Sequence, residues 1–246
     1  MTDAIEPKYV QLTRETIKSG HVQRMIAAAN PDLRLLSEAE IRASLEAMLA
    51  APTAPREVWV FGYGSLIWNP AFEFVEQRVG LVHGFHRRFC LWTQLGRGSP
   101  AAPGLMLALE RGGTCRGVAY RIAEDAVHAE LDILWRREMV GGSYLPRWVA
   151  VRTPQGLVRA LAFTINRRNE RYAGRLSEDR MAASIAVATG QLGPCSDYLF
   201  NTVAHLAALG IHDRPLERLR DQVARHRAAL QAGDQTGAQT AVPRDS

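Results

Sequence analysis

A carboxylate sits where the apolar rhythm of its segment calls for a hydrophobic side chain. Val127, Leu131, Leu134 and Glu138 follow one face of a helix at i, i+4, i+7 and i+11. Gly141 and Gly142 supply a helix stop, which puts Glu138 in the last turn, where the negative end of the helix dipole disfavours an ionised carboxylate. Partial burial beside Trp135 would push the same way. One reading is therefore a proton-transfer residue; the other is a frayed helix end, with Glu138 in solvent or paired to a nearby arginine. Arg136 and Arg137, as immediate neighbours on a helix, are expected to point to other faces. Glu130 is expected to be a solvated surface residue.

The second candidate is a glycine turn. The strand-like VWVF (Val58 to Phe61) runs directly into Gly62, Tyr63, Gly64, Ser65 and Leu66. Two glycines two apart allow several consecutive amides to face one point, a nest suited to a carboxylate or an oxyanion. An ordinary glycine-containing turn fits the spacing as well. A dinucleotide fingerprint does not, because Trp68 stands where a third glycine is required, and no GK[ST] follows to make a phosphate loop.

Other chemistries find less to stand on. Cys90 lies in an apolar run with nothing nearby to lower its pKa, and a free cysteine in such a run is usually inert packing. The three cysteines are odd in number and widely spaced, which fits a reducing compartment and neither a disulfide framework nor a zinc cluster. His83, His86 and His128 lack metal-ligand spacing, so a zinc site is not expected. The net charge of +5 comes from dispersed arginine pairs without the concentrated stripe of a phosphate-tracking surface. With no signal-like or membrane-spanning apolar run, a cytoplasmic protein is expected, binding neither membrane nor nucleic acid.

The elements that must position these groups follow from periodicity. Residues 1–55 read as a helical extension: a helix over Ile17 to Ala29, a second opened by the capping box of Ser37 and Glu40, and the linker Ala51 to Pro55. Short β-rich runs follow at Val58 to Phe61, Val79 to Phe85, Leu105 to Leu109, Gly117 to Ile122, Trp148 to Val151 and Leu157 to Ile165. Helical spacing covers Glu124 to Met139, Glu178 to Thr189, Ser196 to Leu209 and Arg214 to Leu230. The class is α+β. The main domain spans 56–231, and the small, polar segment 232–246 is expected to be a disordered tail.

Taken together, VFGYGSLIW (Val60 to Trp68), RRFCLW (Arg87 to Trp92), WRRE leading into GGSY (Trp135 to Tyr144) and DYLFNT (Asp197 to Thr202) resemble the ChaC family of glutathione-specific γ-glutamylcyclotransferases. The resemblance covers about residues 57 to 210. It implies a γ-glutamylcyclotransferase-like mixed α+β barrel with flanking helices that needs no cofactor and releases 5-oxoproline and cysteinylglycine from reduced glutathione. It also implies a catalytic role for Glu138, a substrate loop at Phe61 to Leu66, and a substrate-side tyrosine at Tyr198. Without the family, Tyr198 reads equally as a core tyrosine with a satisfied hydroxyl. Two departures stand out: Met139-Val140 lengthens the path from the glutamate to Gly141, and Ser143 separates Gly142 from Tyr144.

The implied chemistry needs such residues. The α-amine of a γ-glutamyl group closes a five-membered ring on its own γ-carbonyl carbon, so the enzyme supplies position and proton transfer and no nucleophile. That amine, with a pKa of about 8, is mostly protonated at neutral pH, and a solvated glutamate near about 4.3 is a weak base for it. A glutamate raised by its setting is better matched. Two alternatives make different expectations: a cyclotransferase acting on another γ-glutamyl peptide or amine, and a non-catalytic basic protein that binds nucleic acid.

Overall fold

The computed structural model describes residues 9–29 and 34–239. Five strands close into a barrel: β1 (Trp59–Gly62), β2 (Glu76–Thr93), β3 (Gly104–Arg121), β4 (Tyr144–Thr153) and β5 (Gly156–Ile165), in the order β1-β3-β2-β4-β5. Parallel pairing of β1 with β5 closes the ring, and the β2/β3 and β4/β5 hairpins are antiparallel. The mixed barrel is the one the resemblance implies.

The strands are longer than the sequence pattern suggests. The runs at Leu105 to Leu109 and Gly117 to Ile122 are two ends of one 18-residue strand, β3, whose partner β2 is equally long. Gly84, Gly112 and Gly113 take positive φ angles (83°, 103° and 68°) where the register shifts between His83 and Phe85. They absorb a bulge, and a bulge that coils a long hairpin is what lets five strands close on themselves.

Alternation along β1 divides the interior. Trp59 and Phe61 point into a cluster with Phe89, Leu107 and Leu199, while Val60 points to a second cluster with Leu131, Leu134, Trp135 and Phe163. The second cluster lies under α4 (Val127–Glu138), whose Trp135 meets Phe163 edge-on at 5.5 Å between ring centroids. The apolar stripe read from the sequence thus faces the barrel, and it carries Glu138 with it.

The N-terminal helices pack on the same layer. The expected helix over Ile17 to Ala29 is two, α1 (Arg14–Lys18) and α2 (His21–Ala29), because Gly20 takes the left-handed conformation (φ 67°) that ends a helix. Ile17 and Val22 pack against Ile133 of α4. Glu130, expected in solvent, is 2% exposed: it accepts two hydrogen bonds from Arg14, at 2.5 and 2.7 Å, and one from the Glu73 amide. Its side of α4 is surface until α1 covers it, which no local pattern can announce. The third helix, α3 (Glu38–Leu49), has the capping box expected at Ser37 and Glu40 and buries Ile41 and Leu45 beside Trp135.

Helices α5 (Glu178–Val187), α6 (Cys195–Ala208) and α7 (Arg214–Gln239) complete the fold, with a two-residue β-bridge pair (Thr189–Gly190, Gly193–Pro194) between the first two. Backbone helix continues through 239, past the point where the tail was expected to begin. The rest of that tail, 240–246, lies outside the described residues.

Candidate active site

One cavity brings together the separated motifs. Tyr63, Gly64, Ser65 and Leu66 form one wall, and Glu138, Tyr144 and Tyr198 are among the side chains facing them. Phe61 and Gly62, expected in the substrate loop, are not on that wall: strand alternation sends the Phe61 ring into the barrel core, where it is fully buried.

The turn is held from three directions. The Tyr63 hydroxyl donates to the Phe163 carbonyl (2.7 Å), and Arg87, itself paired with Asp213 at 3.1 Å, donates to the Tyr63 carbonyl (2.9 Å). Arg137 donates to Ser65 Oγ (2.9 Å) and to the Asn69 carbonyl (2.5 Å). Ser65 and Leu66 then open a single 3-10 turn, so their amides have no acceptor within it. The glycines are there for a different reason from the one expected, since neither Gly62 nor Gly64 adopts positive φ. A Cβ on Gly64 would stand 2.9 Å from the Tyr198 hydroxyl, and one on Gly62 would stand 3.0 Å from the Tyr120 ring. Close approach, and not a left-handed nest, excludes side chains.

That contact gives a stability test. Gly64→Ala is expected to cost about 1–3 kcal/mol by overpacking against the Tyr198 hydroxyl. Because the clash is with one oxygen, adding Tyr198→Phe should recover part of the loss in a thermal melt. An additive or worse double variant would contradict this geometry.

Glu138 is 15% exposed. Burial raises its pKa above the usual carboxylate range, and Arg137, whose Nε lies 3.0 Å from Glu138 Oε1, partly offsets that rise. The expectation that both neighbouring arginines point elsewhere holds only for Arg136, which reaches out to Asp132 and Glu38, both at 2.7 Å. Arg137 curls back from the last helical turn, its side chain 5% exposed, because its long stem can bring the guanidinium over both the glutamate and the glycine turn. Sequence reasoning missed it by treating Cβ direction as if it fixed the reach of a six-atom side chain.

Three tyrosines share the cavity with the carboxylate, Tyr63 and Tyr198 buried and Tyr144 half-buried. Burial lifts the pKa of Tyr63, Tyr144 and Tyr198, and the Glu138 charge adds to each shift. All three are therefore neutral hydrogen-bonding groups at physiological pH. Tyr198 is set by α6, its ring edge-on to Phe89 and Trp68 at 6.0 and 6.1 Å. Tyr144, which the sequence reading treated only as a landmark, starts β4 and donates to the Leu107 carbonyl at 2.9 Å. Its place immediately after the helix stop was the available signal.

The cysteines stay outside this chemistry. All three are buried, and desolvation pushes the thiols of Cys90 and Cys195 up to about 12 and about 11. Among the described residues, no group of three or more His, Cys, Asp or Glu side chains could hold a metal ion.

A family profile described as ChaC-like protein matches residues 58–226, which hold the whole barrel, the turn, Glu138 and Tyr198. The chain belongs to the ChaC-like family. It is 41% identical over 209 residues to the glutathione-specific γ-glutamylcyclotransferase of Escherichia coli (strain K12), covering 85% of this chain and 90% of that protein. It is 35% identical over 176 residues to glutathione-specific γ-glutamylcyclotransferase 1 of Mus musculus, covering 69% and 79%. In fold it is similar to the crystal structure of a yeast γ-glutamylcyclotransferase specific to glutathione, with a TM-score of 0.64 at 24% identity over 70% of this chain and 97% of that one. The γ-glutamylcyclotransferase-like fold is thereby shown for this ChaC-like chain.

Proposed function

We propose that this ChaC-like chain cleaves reduced glutathione to 5-oxoproline and cysteinylglycine, with Glu138 as general base and then general acid. The observation that carries the reading is a desolvated glutamate at the wall of a cavity, across from a fixed turn with open amides, in a chain so similar to enzymes of that name. Glu138 takes a proton from the substrate ammonium, and the freed amine attacks the γ-carbonyl carbon. As the tetrahedral intermediate collapses, the bond from that carbon to the cysteinyl nitrogen breaks. The carboxylic acid gives its proton to the departing nitrogen, and the regenerated carboxylate takes the second proton from the ring nitrogen and passes it to the released amine, which leaves as the ammonium. Atoms balance without water or a cofactor.

In this scheme the Ser65 and Leu66 amides are the oxyanion or carboxylate donors, worth most in a site that excludes water. Tyr198 orients the γ-glutamyl group as a neutral donor, and Tyr144, whose proton is held by the Leu107 carbonyl, can only accept. Three free, buried thiols suit a cytoplasmic setting, and no helix among the described residues is long and apolar enough to cross a membrane.

Incubating the purified protein with reduced glutathione should release 5-oxoproline and cysteinylglycine in equal amounts, read by mass spectrometry. Intact glutathione after prolonged incubation would reject the reading. Faster turnover of γ-glutamyl-alanine than of glutathione would instead transfer it to another γ-glutamyl substrate.

A further inference from the structure

Of the three arginines on the cavity wall, Arg137 is paired with Glu138, whereas Arg97 and Arg171 have no carboxylate within salt-bridge distance among the described residues. Arg171 spends Nε and Nη2 on the Ser143 hydroxyl, at 3.0 and 2.5 Å. Arg97 spends only Nη1, on the Pro194 carbonyl at 3.2 Å. Its remaining donors have no acceptor among the described residues. The side chain is half-buried on the cavity wall, loss of solvation lowers its pKa, and among the described residues no carboxylate is paired with it. The acidic group that bears on it most, Asp197, is half exposed and lies 3.7 Å from Arg227.

The backbone that carries Arg97 is locked by glycines. A Cβ on Gly98 would overlap the Gly104 amide and the Thr93 carbonyl, and one on Gly104 would overlap the carbonyl of Arg97 itself. A Cβ on Gly190 would come within 2.6 Å of the Gly96 and Gly98 carbonyls, and the Leu192 amide donates to Gly96 at 2.8 Å. Such interlocked backbones hold a side chain's root in place, and they explain why the segment from Gly96 to Gly104 is so rich in small residues.

Position then selects the ligand group. Glu138 is paired with Arg137 at 3.0 Å, whereas Arg97 is tied to the Pro194 carbonyl at the start of α6, one helical turn before Tyr198. Arg97 is thus one tyrosine removed from the base. In a γ-glutamyl peptide the α-carboxylate shares a carbon with the reacting amine, so it must lie beside Glu138 and away from Arg97. The carboxylate at the other end of the peptide is the one free to reach it.

The geometry points to Arg97 as the specificity residue that binds the C-terminal carboxylate of a γ-glutamyl peptide substrate. This rests on the cyclotransferase reading and deepens it. An arginine offers a planar fork matched to a carboxylate, and in a site shielded from water such a pair discriminates strongly against a ligand lacking the charge. The peptide tail would be selected here, while the γ-glutamyl head is handled at the turn and Glu138. Arg97 is a binding group and touches no reacting atom.

The test compares glutathione with glutathione whose glycyl carboxylate is converted to the amide, on the wild type, Arg97→Gln and Arg97→Lys. The wild type should prefer glutathione by about ten- to a hundredfold in kcat/KM, the worth of a charge-assisted hydrogen-bonded pair. Arg97→Gln should lose that preference, mainly through a higher KM for glutathione, with little change on the amide; Arg97→Lys should keep part of it. Equal wild-type turnover of the two substrates would overturn the assignment without needing a folded variant. So would an equal loss on both substrates in Arg97→Gln. Absence of 5-oxoproline from either substrate with the wild type would sink the cyclotransferase reading itself, a different failure.

Discussion

Glu138→Gln is expected to leave the fold intact and lower kcat for 5-oxoproline formation by about 10²–10⁴, the usual worth of a general base. The glutamate side chain is desolvated and its charged form disfavoured, so a neutral isostere costs the folded state little. Arg137 keeps its acceptors on Ser65 and Asn69 in that variant. Thermal melting should therefore match the wild type, and KM should change less than kcat. A variant that melts normally and still turns over at the wild-type rate would remove Glu138 from the mechanism.

The acid limb of the wild-type kcat/KM profile follows the same residue. The base works when ionised, its pKa is raised by burial, and activity should fall as pH drops through a value above the usual glutamate range. Arg137→Gln moves that limb further. Removing the guanidinium takes away the influence that lowers the Glu138 pKa, so ionisation requires a higher pH and activity at neutral pH falls. The turn also loses its tie to α4, since the same side chain holds Ser65 and Asn69. We expect kcat to fall about ten- to a hundredfold near neutrality, in line with the loss of buried charge-assisted hydrogen bonds. Part of that loss should return as pH is raised. A uniform loss at every pH would show that Arg137 positions the turn without tuning the base, and an unchanged profile would deny both roles.

These expectations rest on residues of unequal legibility. Glu138 stood out because a helix repeats every 3.6 residues, and a carboxylate on the apolar face of α4 breaks that repeat wherever the helix is placed. The capping box at Ser37, the helix stop at Gly141 and the direction of the α4 stripe are local too, encoded in residues a few positions apart. Strand-like runs followed by helically spaced segments likewise gave the α+β class, and the ordered run of four motifs pointed to the family.

Other features depended on groups distant in the chain. Glu130 looks like any surface glutamate until Arg14, 116 residues away, covers it. Gly84 lies inside an expected strand run and Gly112 between two such runs, and only pairing across the β2/β3 hairpin makes them a bulge. Gly64 suggests a left-handed nest, yet its lack of a side chain answers to the hydroxyl of Tyr198 on α6. Arg137 and Arg97 are ordinary basic residues in sequence, and their roles arise from whether an anion stands beside them in the folded cavity. Periodicity and turn chemistry act over a few residues and so survive in the sequence; burial, ion pairing and steric exclusion are properties of what packs alongside, which exists only once the barrel has closed.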